Sequence, residues 1–280
     1  MPADVLGVFF ALTSAAVWGS GDFSGGRASR RSHQYQVLFL AAASGMVVLL
    51  VSAIIQGERL PGGGSLLWSA LAGAAGALGM AALYRALSMG NTASVAPTSA
   101  ITCAVLPVIF GIFTAGLPKP AQLVGFALAF LGIWWLSKSP ARGEKAFKEG
   151  MIQAFLSGIG FGGFFIFIAQ VEKGQVFVPV LMARCVTLII ALIMLRLNHI
   201  PTPKLTSNPV ALLAGILDTS GNVFYLLATQ FTRLDIAALL SSFYPVGTVI
   251  LASLVLKEKI APPQWAGMSA CLLALILIII

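Results

Sequence analysis

Two ionisable side chains lie deep inside apolar stretches of this sequence. Asp218 stands near the middle of residues 209–230, and Arg184 is the only charge deep within residues 177–197. A bare charge at the centre of a bilayer costs at least ~2.5–3.5 kcal/mol. Asp218 is therefore expected to couple protons, to anchor a cationic group, or to pair with Arg184. Arg184 in turn either holds a substrate carboxylate bidentately or serves as a structural ion-pair partner.

Aromatic and hydroxyl side chains occupy matched places in the two halves of the chain. Rings can line a pocket and bind an ammonium group by cation–π contact, and hydroxyl or amide groups can add hydrogen bonds. The alternatives are that the rings face lipid and that each hydroxyl bonds a carbonyl of its own helix. The predicted substrate-binding residues, Asp218 among them, are Trp18, Tyr84, Thr98, Thr102, Phe161, Asp218, Asn222, Tyr225, Ser241 and Tyr244.

Two further charges, Asp22 and Arg85, come late in their apolar segments. For Asp22 a position at the membrane interface is favoured over one at a cavity mouth. The side chain of Arg85 can extend to the lipid headgroups at little cost in free energy, which would explain its position. The alternative is that Arg85 and Tyr84 together gate the cavity.

The composition places these residues in a membrane protein. Of the 280 residues, 58% are hydrophobic and only 9% are charged, and the mean hydropathy is +0.95. A soluble domain carries about 25% charged residues. We predict an all-α integral membrane protein, because a spanning helix needs about 20 apolar residues and ten such segments occur. They are residues 4–24, 35–56, 66–88, 93–115, 121–137, 150–170, 177–197, 209–230, 236–255 and 261–280.

The chain repeats itself at an offset of 142 residues. Residues 70–137 align with 212–279 without a gap, so that Gly73 matches Gly215 and Gly79 matches Gly221. Each copy holds five segments, and an odd number inverts the second copy in the bilayer. The sequence therefore predicts two inverted five-helix repeats, residues 1–138 and 150–280, joined by a basic linker at 139–149.

Prolines interrupt corresponding segments of the two repeats. Pro97 lies in the fourth segment and Pro245 in the ninth. A proline removes a backbone hydrogen bond and permits a kink. Discontinuous helices at matching positions of inverted repeats point to the substrate site of a transporter, so both prolines are predicted gating kinks.

Several other chemistries are not expected. Gly158–Gly163 matches a dinucleotide-binding pattern, but that motif requires a preceding strand, so close helix packing is the better interpretation. Cys103, Cys185 and Cys271 all lie inside segments, and no His, Cys and carboxylate residues have metal-ligand spacing. We predict no cofactor, no metal and no enzymatic activity, and the net charge of +8 belongs to loops rather than to a nucleic-acid site.

The basic residues are distributed unevenly between the two sides. Eleven Lys and Arg follow the odd-numbered segments and four follow the even-numbered ones. The positive-inside rule then places both termini outside a bacterial-type inner membrane.

Several short sequences resemble the EamA-type transporters of the drug/metabolite transporter superfamily. They are Ala15–Phe23 (AAVWGSGDF), Leu83–Gly90 (LYRALSMG), Ser94–Pro97 (SVAP), Leu256–Lys259 (LKEK) and Gln264–Gly267 (QWAG). The resemblance covers nearly the whole chain, with one departure where Gly116 stands in the place of Glu258. It implies a central cavity bounded by segments 1, 3, 4, 6, 8 and 9.

Taken together, the sequence predicts a secondary transporter of small polar metabolites, with amino acids or related amines favoured. Alternating access about a midplane cavity is the expected mechanism, with protons as a possible coupling ion and the lipid bilayer as surroundings. The alternatives are a lipid or lipid-linked sugar translocase of the same fold, an intramembrane enzyme, and an assembly partner without transport. The buried Asp218 argues against the last of these, because its burial is costly for a scaffold. An oligomer is not required.

Overall fold

A computed structural model of the chain describes residues 3–89, 92–136, 144–256 and 262–279, which are helical almost throughout. Every predicted segment coincides with one helix, except residues 236–255, which are divided between two. The eleven helices of the described residues are α1 (Ala3–Ser29), α2 (Gln34–Gln56), α3 (Gly63–Ser88), α4 (Thr92–Ala115), α5 (Pro120–Leu136), α6 (Glu144–Ile168), α7 (Phe177–Leu197), α8 (Pro209–Phe231), α9 (Leu234–Ser241), α10 (Tyr244–Leu256) and α11 (Pro262–Ile279).

Eight stretches of the described chain are long and apolar enough to cross a membrane. They include Leu234–Val255, which joins α9 and α10, whereas α5 and α11 provide only the shorter apolar stretches Pro120–Trp135 and Pro262–Ile278. Large apolar side chains on the outer surface support this assignment; Ile54 and Ile55 of α2, for example, are 71% and 75% exposed. The all-helical membrane class is confirmed, and the count of ten spans stays a prediction.

The predicted linker 139–149 is only partly described. Helix α6 begins at Glu144, so the last residues of the linker are helical, and residues 137–143 lie outside the described part of the chain.

The ninth predicted segment is a broken helix. Its first piece, α9, ends at Ser241 and its second, α10, begins at Tyr244. Pro245 has no N–H to donate to the carbonyl of Ser241, and the chain crosses the break through three-residue turns from Phe243 to Leu240 and from Val246 to Phe243. In the first half, α4 runs through Pro97 as one helix; the Pro97 side chain lies outside the described part.

Two glycines that match in the sequence repeat make the same contact in the structure. Gly73 of α3 lies against the backbone of Ala183 in α7, and Gly215 of α8 lies against the backbone of Ala41 in α2. Gly73 and Gly215 are 142 residues apart, as are Ala41 and Ala183. The two halves therefore contact each other through one pair of positions used twice, as a two-fold relation between them produces.

A second pair of matched glycines, six residues further along α3 and α8, also makes similar contacts in the two halves. Gly79 lies against Phe161 and the backbone of Ser157 in α6, and Gly221 lies against the indole of Trp18 in α1. Small residues at such crossings let helix backbones approach closely, which is the main packing device between helices in lipid. These crossings fix the positions of Trp18 and Phe161 beside the centre of the molecule.

Glu58, in the turn between α2 and α3, caps a helix of the other half. Its carboxylate accepts backbone N–H bonds from Val176, Phe177 and Val178 at the start of α7, two of them at 2.7 and 2.9 Å. The first N–H groups of a helix have no partner within the helix, and negative charge is favourable at that end.

Replacing Glu58 by alanine will therefore destabilise the protein by about 1–2 kcal/mol, the usual cost of losing such a cap. Glu58→Gln keeps one acceptor oxygen and loses the charge, so its melting temperature in detergent will fall between those of wild type and Glu58→Ala. The matched control is Glu149→Ala, because the side chain of Glu149 is 52% exposed. A melting temperature of Glu58→Ala equal to that of the control would show that water replaces the cap.

Candidate functional site

A cavity lies at the centre of the molecule, between helices of both halves. Its volume is about 50 Å³, counted as the space open to the centre of a water molecule. A single water needs about 10–15 Å³ on that measure, so the cavity in this conformation has room for a few water molecules or a small polar group. Its wall is mainly apolar and holds three charged side chains, Asp22, Arg184 and Asp218.

Arg184 of α7 and Asp218 of α8 form a buried ion pair on the cavity wall. A guanidinium nitrogen of Arg184 donates a hydrogen bond to a carboxylate oxygen of Asp218. Arg184 is 5% exposed and Asp218 is 6% exposed. The pairing that the sequence left open is thus present in the structure, while a role for either group in substrate binding or coupling stays a prediction.

Asp22 of α1 is the third charge, and its position differs from the favoured expectation of the membrane interface. Helix α1 extends to Ser29, so Asp22 is well inside the helix, lines the cavity and is only 7% exposed. No side chain or backbone group of the described residues makes a hydrogen bond or an ion pair with its carboxyl group. The sequence does contain a signal for this cavity position. Asp22 follows Trp18 by four residues, and residues i and i+4 lie on the same helix face.

Stacked aromatic rings form one side of the cavity. Trp18 packs on Phe165 with ring centres 5.3 Å apart, and Phe165 packs on Tyr225 with ring centres 4.2 Å apart. The indole N–H of Trp18 donates to the backbone carbonyl of Asp218 at 3.1 Å, and the Tyr225 hydroxyl donates to the backbone carbonyl of Phe165 at 3.1 Å. The rings are therefore held in fixed orientations beside the ion pair.

Of the residues predicted for the site, the structure brings six to the cavity wall. They are Trp18, Phe161, Arg184, Asp218, Asn222 and Tyr244. Tyr244 is the first residue of α10, so the helix break at Ser242 and Phe243 adjoins the cavity.

The other five predicted binding residues are not among those that line the cavity. Tyr225 lies behind Phe165, and Tyr84 packs with its ring against Gly25. Thr102 donates to the carbonyl of Thr98 within α4, and Ser241 donates to the carbonyl of Ala11.

Thr98 is the fifth of these residues. Its hydroxyl lies 3.9 Å from the sulfur of Met151.

Several residues that line the cavity could not be predicted from the sequence, where they resemble ordinary helix-packing residues. They are Gly73, Gly76, Met80, Cys103, Phe164, Phe165, Ala183 and Thr187. Gly73 and Ala183 are also the residues at which α3 contacts α7, so this interface between the two halves borders the cavity. No group of three His, Cys, Asp or Glu residues in the described chain is arranged to hold a metal ion.

Comparison with known proteins gives a family and a fold. The family model described as the EamA-like transporter family matches residues 5–138 and, a second time, residues 148–280. No protein of the curated set matches the chain. A solved structure described only as a crystal structure of a protein has the same fold, with a TM-score of 0.72 at 16% identity over 97% of this chain and 95% of the other.

Proposed function

Because the chain belongs to the EamA-like transporter family, we propose that it is a secondary active transporter of a small polar metabolite, an amino acid or a related amine. Transport proceeds by alternating access around the central cavity, as exporter or exchanger. The observation that carries the proposal is the cavity itself, which lies between the halves and holds the Arg184–Asp218 pair and Asp22, whose carboxyl group no described residue pairs. Three buried charges are expensive for a scaffold and useful for a solute that carries its own charge.

The fold supplies parts that such a mechanism uses. We propose ten spans in two inverted five-helix repeats, with α5 and α11 as the fifth and tenth. The seams at Gly73 and Gly215 allow the halves to rock against each other. The break between α9 and α10, beside Pro245 and Tyr244, supplies a hinge at the cavity, and Pro97 supplies a second gating kink in α4, the corresponding segment of the first half.

The energy for transport comes from a gradient. The sequence contains no nucleotide-binding loop, so the chain is driven by its substrate, by exchange, or by protons. From the distribution of Lys and Arg we propose a bacterial-type inner membrane with both termini on the outer side.

A ligand panel on the purified protein tests the proposal. A ligand that binds only the folded state raises stability by RT ln(1 + [L]/Kd), about 2.7 kcal/mol at a hundred times Kd. We expect amines or amino acids to raise the melting temperature, and the same compounds to exchange across proteoliposomes in a counterflow assay. Asp218→Asn and Arg184→Gln should weaken both effects, because each removes one half of the ion pair on the cavity wall.

Three other outcomes count against the proposal. Hits confined to organic anions and lost in Arg184→Gln would replace the amine class by carboxylates. A panel with no hits among amino acids, amines, anions, sugars and nucleotides, together with flipping of fluorescent lipids, would establish the translocase alternative. Normal counterflow in Asp218→Asn would leave the ion pair with a structural role alone.

A further inference from the structure

Resting on the proposed transport function, the structure assigns Asp22 as the anchor for an ammonium group, and the preferred substrate as a monocationic amine rather than a zwitterionic amino acid. The assignment follows from the charged groups in the cavity and from the lack of a partner for Asp22 among the residues that the structure describes.

The cavity wall holds two carboxyl groups and one guanidinium group. Arg184 and Asp218 neutralise each other through their hydrogen bond, whereas Asp22 contributes a carboxyl group that no described residue pairs. A carboxylate removed from water requires either a proton or a cation. A solute with a single ammonium group supplies that cation and leaves the loaded cavity neutral.

The groups that face Asp22 from neighbouring helices add no second cation. Its electrostatic neighbours are Asp218 of α8, Tyr84 of α3, Cys103 of α4 and Tyr244 of α10. Among the described residues that line the cavity, Arg184 is the one cation, and it is already paired with Asp218.

An amino acid fits this charge balance less well. Its ammonium group would occupy Asp22, but its carboxylate would have to share Arg184 with Asp218 through the guanidinium N–H groups not used in the ion pair. The loaded cavity would then keep one net negative charge in a site of low dielectric, where such a charge is costly.

The wall around Asp22 suits an ammonium group of a small amine. Trp18 lies one helical turn before Asp22 on the same face of α1, and Phe161 and Tyr244 line the same cavity. Aromatic faces attract cations, and the stacking of Trp18 on Phe165 keeps its ring in place. The restricted space in this conformation favours an amine of few non-hydrogen atoms.

A matched series of solutes tests the assignment. Butylamine, norvaline and pentanoate share a four-carbon chain, whose end carbon carries an ammonium group, an ammonium and a carboxylate group, and a carboxylate group, respectively. Isothermal titration of the full-length protein in detergent should give the tightest binding for butylamine. Asp22→Asn should weaken that binding about tenfold or more, the range for a lost hydrogen bond to a charged group, whereas Asp22→Glu should keep most of it.

Two controls separate loss of the site from loss of the fold. Asp4→Asn, in the exposed first turn of the same helix, should bind butylamine like wild type. Asp22→Asn should melt at the same temperature as wild type or higher, since it removes a buried carboxyl group that no described residue pairs. A large fall in the melting temperature of Asp22→Asn would show an unrecognised structural role and overturn the assignment.

The binding data also distinguish this inference from the proposed function. Tighter binding of norvaline than of butylamine, unchanged in Asp22→Asn, would overturn the Asp22 assignment and leave an amino-acid transporter. Failure of every amine and amino acid to bind or to exchange in counterflow would overturn both.

Discussion

Replacing Arg184 by glutamine will lower the stability of the protein by about 3–5 kcal/mol, the cost of breaking a buried ion pair on one side. The physical reason is the partner left behind. Asp218 is 6% exposed and would retain a carboxylate with no cation beside it in an apolar wall. Thermal unfolding in detergent, followed by tryptophan fluorescence, measures the effect, and Asp218→Asn should give a loss of similar size.

The double variant Arg184→Gln, Asp218→Asn provides the decisive comparison. Because neither charge remains, it should be clearly more stable than either single variant, as a coupling energy of several kcal/mol between the sites requires. The matched surface control is Arg85→Gln, whose salt bridge to Glu149 at 3.1 Å has side chains 44% and 52% exposed. It should cost about 0–1 kcal/mol. Additive losses in the double variant would show that the two charges do not interact in solution.

A methyl group at Gly73 or Gly215 will disrupt the helix interface between the two halves. In Gly73→Ala and Gly215→Ala the new side chain would overlap the backbones of Ala183 and Ala41, respectively, so whole helices must shift. We expect a loss of about 2–3 kcal/mol or more for each, at the upper end of overpacking. Since the two sites are related by the repeat, the two losses should be similar in size.

Gly64→Ala is the matched control for this pair. It lies in the first turn of α3, and nothing stands within 4 Å of the position that its new methyl group would take. Alanine is the better helix former, so this variant should keep or slightly raise the melting temperature. Melting temperatures of Gly73→Ala or Gly215→Ala equal to that of Gly64→Ala would mean that the helices pack more loosely than described.

The elements of the fold could be predicted from the sequence because lipid imposes a simple rule. An apolar stretch of sufficient length must be helical to satisfy its backbone, so the predicted segments and the helices coincide closely. The break between α9 and α10 was only half anticipated. Pro245 indicates a kink, but the sequence does not show whether a proline bends a helix or divides it, since that depends on the packing around Tyr244.

The candidate site was harder to predict, because it depends on which helix faces meet. Asp218 and Arg184 stand out by their depth in apolar segments, yet only the structure shows the hydrogen bond between them. For Asp22 the sequence favours the membrane interface over a cavity mouth, because the first apolar segment ends at residue 24, whereas α1 continues to Ser29. Tyr84 and Tyr225 are large and buried, and sequence alone does not separate rings on the wall from rings behind it.

The glycine crossings bear on how the chain is made. The extensive helix pairs α1 with α8, α3 with α6, and α5 with α11 each join the first half to the second. During synthesis, the first five helices therefore enter the membrane before the surfaces that they pack against exist. Asp22 and the small-residue faces of α1 and α3 must remain in the lipid or at the insertion machinery until α6 to α8 arrive. A chain arrested after α5 should accordingly be a short-lived species that quality-control proteases remove.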